Sequence, residues 1–457
     1  MGIRTLSFCF MLDKLFNWGK RKADPQSAQG AGSHPSSVIS FGRYSDNNKN
    51  VEKTKRWTAA DNHFKANQHY ESMDAFFDYL KDDAANNIEY SRSGETAEFK
   101  LYQGSKIVEG RVKDGLLSAQ VKLARMQQPS VPVMRRLLEM NFGLYYSRFA
   151  LDENELCMRF DTSVATANPN KLYYGLKELA TKSDKQDDLL VDDFTMLEPV
   201  GHEHIIEIPE AEKQIKYDAM QAWITETIEK IASVEANNFS GGINYLLLTL
   251  AYRIDYLVVP EGSLLNDIEK IVAIYFTKDE RPIIEKNRDM IEAFKKLQAK
   301  PKEDVFKSLF RSKHTFSIVA PPANKAIGDV IEESNKNMQW YRANNHEYFA
   351  NKVMEYGLSY NQYSYSLPRP ITELFELFMR INYTDYFKSL GQQDNYYSPQ
   401  TKAFNQGAIN NRIYKIIDRW KAKYPKMVFN TSNLSYMGLM SFNETFTTQI
   451  QNINLDA

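Results

Sequence analysis

The chain has 457 residues, enough for two or three domains, with ordinary hydrophobic and charged fractions of 43% and 25% that exclude wholesale disorder. Lys plus Arg total 57 and Asp plus Glu 58, so the net charge is −1 and no global basic field holds a polyanion, although a local patch is compatible with it. Two cysteines, Cys9 and Cys157, exclude a disulfide framework and a C-x-x-C zinc pair, and such usage suits a reducing, cytoplasmic location.

In chain order, residues 5–12 are apolar after Arg4, but the run is short and no small-residue cleavage site follows, as a signal peptide requires. Met11 is an alternative start to Met1. Leu12, Leu15, Phe16 and Trp18 alternate with Lys14, Lys20, Arg21 and Lys22, an amphipathic stretch over 11–22 whose functional alternative is membrane-surface contact. Residues 23–38, rich in Ala, Gly, Ser and Pro, read as a linker. Residues 1–66 are therefore expected to be a flexible N-terminal segment, with Trp57 and Phe64 as docking points.

The spacing of Met73, Phe76, Phe77 and Leu80 predicts a helix over 70–81. Strands are predicted at 88–92, 97–103, 106–112 and 116–124. In the last, Leu117, Ala119, Val121 and Leu123 share one face, and Asp114-Gly115 before it is a hairpin turn, so the meander is antiparallel. A helix is predicted over 130–142, with Ser130 as cap and Val133, Leu137, Leu138 and Phe142 as its apolar side. Two strands at 144–151 and 155–161 flank Asp152-Glu153-Asn154, and a long helix starts near Asn170. Cys157 lies in the second strand as a small buried hydrophobe. The expectation is an α+β domain over 67–195, an antiparallel sheet with helices on one face.

Within it, VMRRLLEMNFGLYYSRFALDENELCMRFD followed by LYYGLKELATKSDKQDDLL resembles the YbjN-like family, itself similar to the type III secretion chaperone fold. The resemblance rests on Leu137, Leu138, Asn141, Phe142, Phe149, Leu151, Asp152 and Leu156, and it covers roughly residues 70–194. It implies binding of a polypeptide or self-association through the sheet face or the helices, and it assigns no chemistry to any residue.

Residues 196–208 read as a connector, and 209–457 as a mainly α-helical C-terminal domain. Helices are predicted near 209–236, 240–258, 263–277, 279–299, 302–312, 323–357, 371–389 and 408–423, punctuated by prolines, followed by a tail that contains 427–430, with a short strand at Met427, Val428 and Phe429, and 434–449. The apolar run at 244–259 contains Arg253 and Asp255 and is too short to span a bilayer, so no transmembrane segment is expected.

The residues that could carry chemistry are few. His202 and His204 share a face if the connector is extended, which makes them candidate metal ligands, with Asp192, Asp193 or Glu198 as a third. The competing reading is a solvated or hydrogen-bonded pair. Gly241-Gly242 either present backbone N–H groups to an anion or simply precede a helix. No phosphate-loop, dinucleotide or nucleophile-elbow motif occurs, and no cofactor is expected. Residues 340–397 are rich in Tyr, Asn and Gln. Tyr356, Tyr360, Tyr363 and Tyr365 are candidate partner-binding residues, with internal helix packing as the alternative. The leading expectation is a non-enzymatic binding, chaperone-like or scaffolding protein. The alternative is an enzyme with a dispersed, metal-dependent site at the domain junction.

Overall fold

The computed structural model describes residues 39–323 and 325–456, and from Phe41 onward the chain forms one unit. The amphipathic stretch at 11–22, the linker at 23–38 and Cys9 lie outside the described residues. Part of the segment expected to be flexible is a helix, α1 (Val51–Lys65), capped by Asn50, whose side chain accepts from the Lys53 amide. Its sequence is mostly polar, so periodicity does not reveal it. Its one large apolar anchor, Trp57, packs on Phe76, Tyr79 and Tyr173.

Helix α2 (His69–Leu80) buries the predicted stripe of Met73, Phe76, Phe77 and Leu80. Strands β1 (Ile88–Ser93), β2 (Thr96–Gln103), β3 (Lys106–Lys113) and β4 (Leu116–Arg125) follow as an antiparallel meander. Asp114 and Gly115 both take positive φ, 52° and 73°, the geometry that matches the twist of a tight hairpin. After α3 (Val131–Asn141), strands β5 (Arg148–Asp152) and β6 (Glu155–Ser163) form a second hairpin, and α4 (Pro169–Asp193) returns across the sheet. The sheet order is β1-β2-β3-β4-β6-β5, with β7 (Glu198–Pro199) added to the far end of β4. Phe99, Val108, Val121, Met158 and Phe160 on one face meet α2 and Leu172, Leu176 and Leu179 of α4 in a single core. Gly110 is required there, because a Cβ would sit 2.0 Å from the Phe99 ring.

Two expectations in this half change. Ser130 makes no capping bond. Of the four residues assigned to the apolar side of α3, only Val133 and Leu137 are buried, whereas Leu138 and Phe142 face outward.

Beyond the connector, β8 (Ile206–Glu207) leads into α5 (Glu210–Ala232), α6 (Ser240–Val258), α7 (Gly262–Phe276), α8 (Ile283–Gln298) and α9 (Lys302–Lys307). Gly241-Gly242 lie in the first turn of α6, and Gly242 packs under the Tyr341 hydroxyl. The predicted 302–312 helix stops at Lys307, because Phe310–Arg311 form β9 against β8. The single helix expected over 323–357 is two, α10 (Ala326–Ala343) and α11 (Glu347–Ser364), because Asn345 adopts φ 60° and reverses the chain. Likewise 371–389 divides at Tyr383 into α12 (Arg369–Asn382) and α13 (Thr384–Ser389). α14 (Gln406–Trp420) and α15 (Leu439–Gln451) complete the helical half, and the predicted strand at 427–429 is irregular. α6, buried on nearly every side, is the axis of this second core. No described helix is long and apolar enough to cross a membrane.

Two exchanged segments join the halves. The arm before α1 enters the helical half, where the Gly42 amide donates to the Tyr256 carbonyl at 2.8 Å. Arg43 grips Asp255 at 2.8 Å and lies 4.0 Å over the Tyr363 ring. In return, residues 313–317 enter the sheet half. Lys313 bridges to Gly104, the Thr315 hydroxyl donates to the Asn87 and Tyr102 carbonyls, and Phe316 joins the sheet core. Arg43→Met strands the buried Asp255 carboxylate, and removing one partner of such a pair costs about 3–5 kcal/mol. We expect a lower urea midpoint for this variant and partial recovery in the Arg43→Met/Asp255→Asn double variant; equal loss in both would contradict the assignment.

Candidate functional site

The connector histidines lie where three backbone segments splay apart. β4 pairs with β3 as far as Gln120 and with β7 from Ala124, which leaves a gap over its middle. Lys106, the first residue of β3, points inward, and its ammonium fills that gap. It lies 3.0 Å from Asp187 of α4, 2.7 Å from the Val200 carbonyl and 3.2 Å from His202 Nε2. Both Lys106 and Asp187 are buried. The Ser105 hydroxyl donates to Asp187 at 2.7 Å, while the Ser105 amide donates to Asp184 at 2.8 Å. Gly104, at φ 54°, is obligatory, because a Cβ would stand 2.0 Å from the Asp184 carboxylate.

Burial pushes Asp184 up to about 8, with Glu261 adding to the rise. Burial and Asp187 push Asp188, which abuts Gly262 at the start of α7, up to about 7. Burial also opposes ionisation of Asp187, but His202, Lys106 and Ser105 outweigh it and hold that carboxyl below its ordinary value. On the far side, burial lowers the basicity of His314, yet Glu261 and Asp184 overcome this and raise it. One ionised carboxylate thus pairs with one lysine, and burial beside that charge keeps Asp184 largely protonated near neutrality and Asp188 about half so.

This arrangement does not gather a metal. His204 Nε2 donates to the Gly104 carbonyl at 3.1 Å, while His202 faces Lys106, so the imidazoles diverge. The Lys106 ammonium stands at the Nε2 position where a cation would bind. Among the described residues no group of three or more His, Cys, Asp or Glu side chains could hold a metal ion. An open cavity of about 830 Å³ adjoins the cluster, lined by Lys106, Gln120, Lys122, Arg125 and His202 among others. The carboxyls with raised pKa values do not line it. The cluster has the geometry of a bracket between α4, the connector and α7 rather than of an acid–base pair open to a substrate.

The tyrosine stripe is half-buried. Tyr356 packs on Tyr245 at 4.8 Å and Tyr363 on Tyr252 at 4.7 Å, while Tyr360 touches both Tyr252 and Tyr365. The candidates Tyr356, Tyr360 and Tyr363 are thus half-buried against the aromatic face of α6, and Tyr365 is half-buried beside Tyr360, with part of each ring left accessible.

The exposed apolar surface lies elsewhere. α3 carries two apolar stripes. One, with Val133 and Leu137, faces the sheet; the other, Val131, Leu138 and Phe142, faces solvent at helical spacing, and Phe142 is 94% exposed. Tyr145, 88% exposed, and Tyr146 follow in a loop held rigidly by Glu178 of α4, which accepts from the amides of Tyr145, Tyr146 and Ser147, each at 2.8 Å. Burial opposes the Glu178 charge, but these three donors outweigh it and lower its pKa. Tyr174, one turn before Glu178 and exposed, extends the same patch. The sequence signal was present, since a helix apolar on more than one side has more to bury than one sheet can cover.

No family model matches the chain, and no curated protein matches it.

The cluster carries its own pH signature. Asp184 and Asp188 bind protons more tightly in the folded chain than in the unfolded one. Their stabilising contribution is complete below about pH 4 and is lost as pH rises through about 7 to 8. Asp184→Asn should therefore flatten the decline of the urea midpoint over that range and leave the acid end unchanged. An unaltered pH profile in that variant would show that Asp184 is not the titrating group.

Proposed function

We propose that this chain is a non-enzymatic, chaperone-like or scaffolding protein of the cytoplasm that binds a polypeptide, a second copy of itself included, through the outer face of α3 and the loop that follows. The observation that carries this reading is the outward stripe of Val131, Leu138 and Phe142 continued by Tyr145, Tyr146 and Tyr174. Exposed apolar surface of this extent costs free energy in water and marks interaction sites in monomers. Its aromatic content is that of an interface core. Because Glu178 already orders the loop, docking incurs little further conformational entropy.

The resemblance of residues 70–194 to the YbjN-like family supports the same class of activity. So does the inward packing of the charged cluster around Lys106 and Asp187. The dispersed-site alternative has the cavity beside His202 in its favour but, among the described residues, no set of converging metal ligands.

The test uses the full chain. Sedimentation and affinity capture should show a stoichiometric polypeptide partner or a dimer. Leu138→Asp/Phe142→Asp should weaken that association at least about tenfold, since central apolar anchors contribute about 2 kcal/mol or more each. The urea midpoint should hardly move, because both side chains are exposed. A wild-type chain that stays monomeric at high concentration and retains no polypeptide sinks the reading.

A further inference from the structure

We propose that the surface formed by α14 and the 421–437 turn docks on an anionic lipid bilayer. The charge of the chain is unevenly distributed. Between Asn395 and Asn443 stand seven Lys and Arg residues and one acid, Asp418, a surplus of six positive charges in a chain whose net charge is −1. Little of that surplus is neutralised internally. Glu373, buried at the base of the surface, accepts from Arg369 at 3.4 Å and Arg419 at 2.9 Å and lies 3.8 Å from Arg412. One carboxylate thus sits under three guanidinium groups. Lys415, Lys421 and Lys426 are exposed and form no ion pair among the described residues.

Apolar tips flank these bases. Tyr414 is exposed on α14 beside Lys415, and Val428 is exposed two residues after Lys426. Met437, 95% exposed, is placed near them because the Tyr436 hydroxyl donates to Asn410, one turn before Tyr414. Exposed bases recruit phosphate headgroups, and protruding apolar side chains gain by entering the acyl boundary. Of the three tips Tyr414 alone offers a ring on which a base could stack, whereas Val428 and Met437 are aliphatic and favour a hydrocarbon boundary. They stand on separate turns, and a fluid hydrocarbon boundary accommodates each of them without a matched groove.

The full chain should co-sediment with phosphatidylcholine vesicles that contain phosphatidylserine, not with phosphatidylcholine alone, and salt should reverse the binding. Lys415→Glu/Lys421→Glu/Lys426→Glu should lower the bound fraction at least about tenfold. Val428→Ser/Met437→Ser should lower it several-fold with the salt dependence retained. Unchanged urea midpoints in both variants would exclude misfolding as the cause. Absence of binding at low salt overturns the proposal, and so does binding that survives the charge reversals, which would assign it to another part of the chain. Capture of a single-stranded oligonucleotide in place of vesicles, lost in the charge-reversal variant, would overturn it in favour of nucleic acid.

Discussion

One buried carboxylate, Asp46, holds three parts of the chain at a single point. Its Oδ1 accepts from the hydroxyls of Ser317 at 2.7 Å and Ser366 at 3.3 Å, and its Oδ2 accepts from Tyr173 of α4. Its own amide donates to Ser317 Oγ at 2.7 Å. Ser317 belongs to the segment that enters the sheet half, Ser366 to the loop between α11 and α12, and Tyr173 to the sheet domain's longest helix. A buried charge is tolerable only when donors surround it. These donors come from residues more than a hundred positions away, so Asp46 is satisfied only when both halves are folded and docked. The ion chain beside it has the same character. Arg43 bridges Asp255 and Glu269, and Glu269 also binds Lys185 of α4.

This coupling explains why the histidine cluster is closed. Lys106, Asp184 and Asp187 lie where α4, the connector and α7 meet, and the bonds they make tie those elements together, while Asp187 Oδ1 and His204 Nδ1 are buried without a partner. Among the surfaces that no second element covers are the outer stripe of α3 and the basic, apolar-tipped turn beyond α14. They differ in chemistry, one aromatic and sparsely charged, the other cationic, so they suit different occupants.

Local physics made much of the fold readable. The alternation of Leu117 to Leu123 and the Asp114-Gly115 turn specify β4 and its hairpin, and the prolines bound most of the helices. What remained hidden depends on distant partners. The outer stripe of α3 and the inner one share the same period, so spacing alone cannot say that Leu137 is buried and Leu138 exposed. The break at Asn345 carries no glycine or proline, only an asparagine tolerant of left-handed φ. Lys106 and Asp187 are about eighty residues apart, and nothing in either neighbourhood marks them as a pair. The tyrosine stripe of α11 was visible, but its occupant, the aromatic face of α6, lies a hundred residues upstream.

The exchange of segments also bears on how the protein is made. The strands of the sheet are complete in sequence by Pro199, yet its core lacks Phe316, and Asp46 lacks Ser317 and Ser366, until the ribosome has delivered most of the helical half. Closing contacts over such separations is slow relative to local helix and hairpin formation. During synthesis the nascent sheet therefore waits with an incomplete core and with the apolar stripe of α3 already in solvent, the state in which a growing chain depends most on protection from its neighbours.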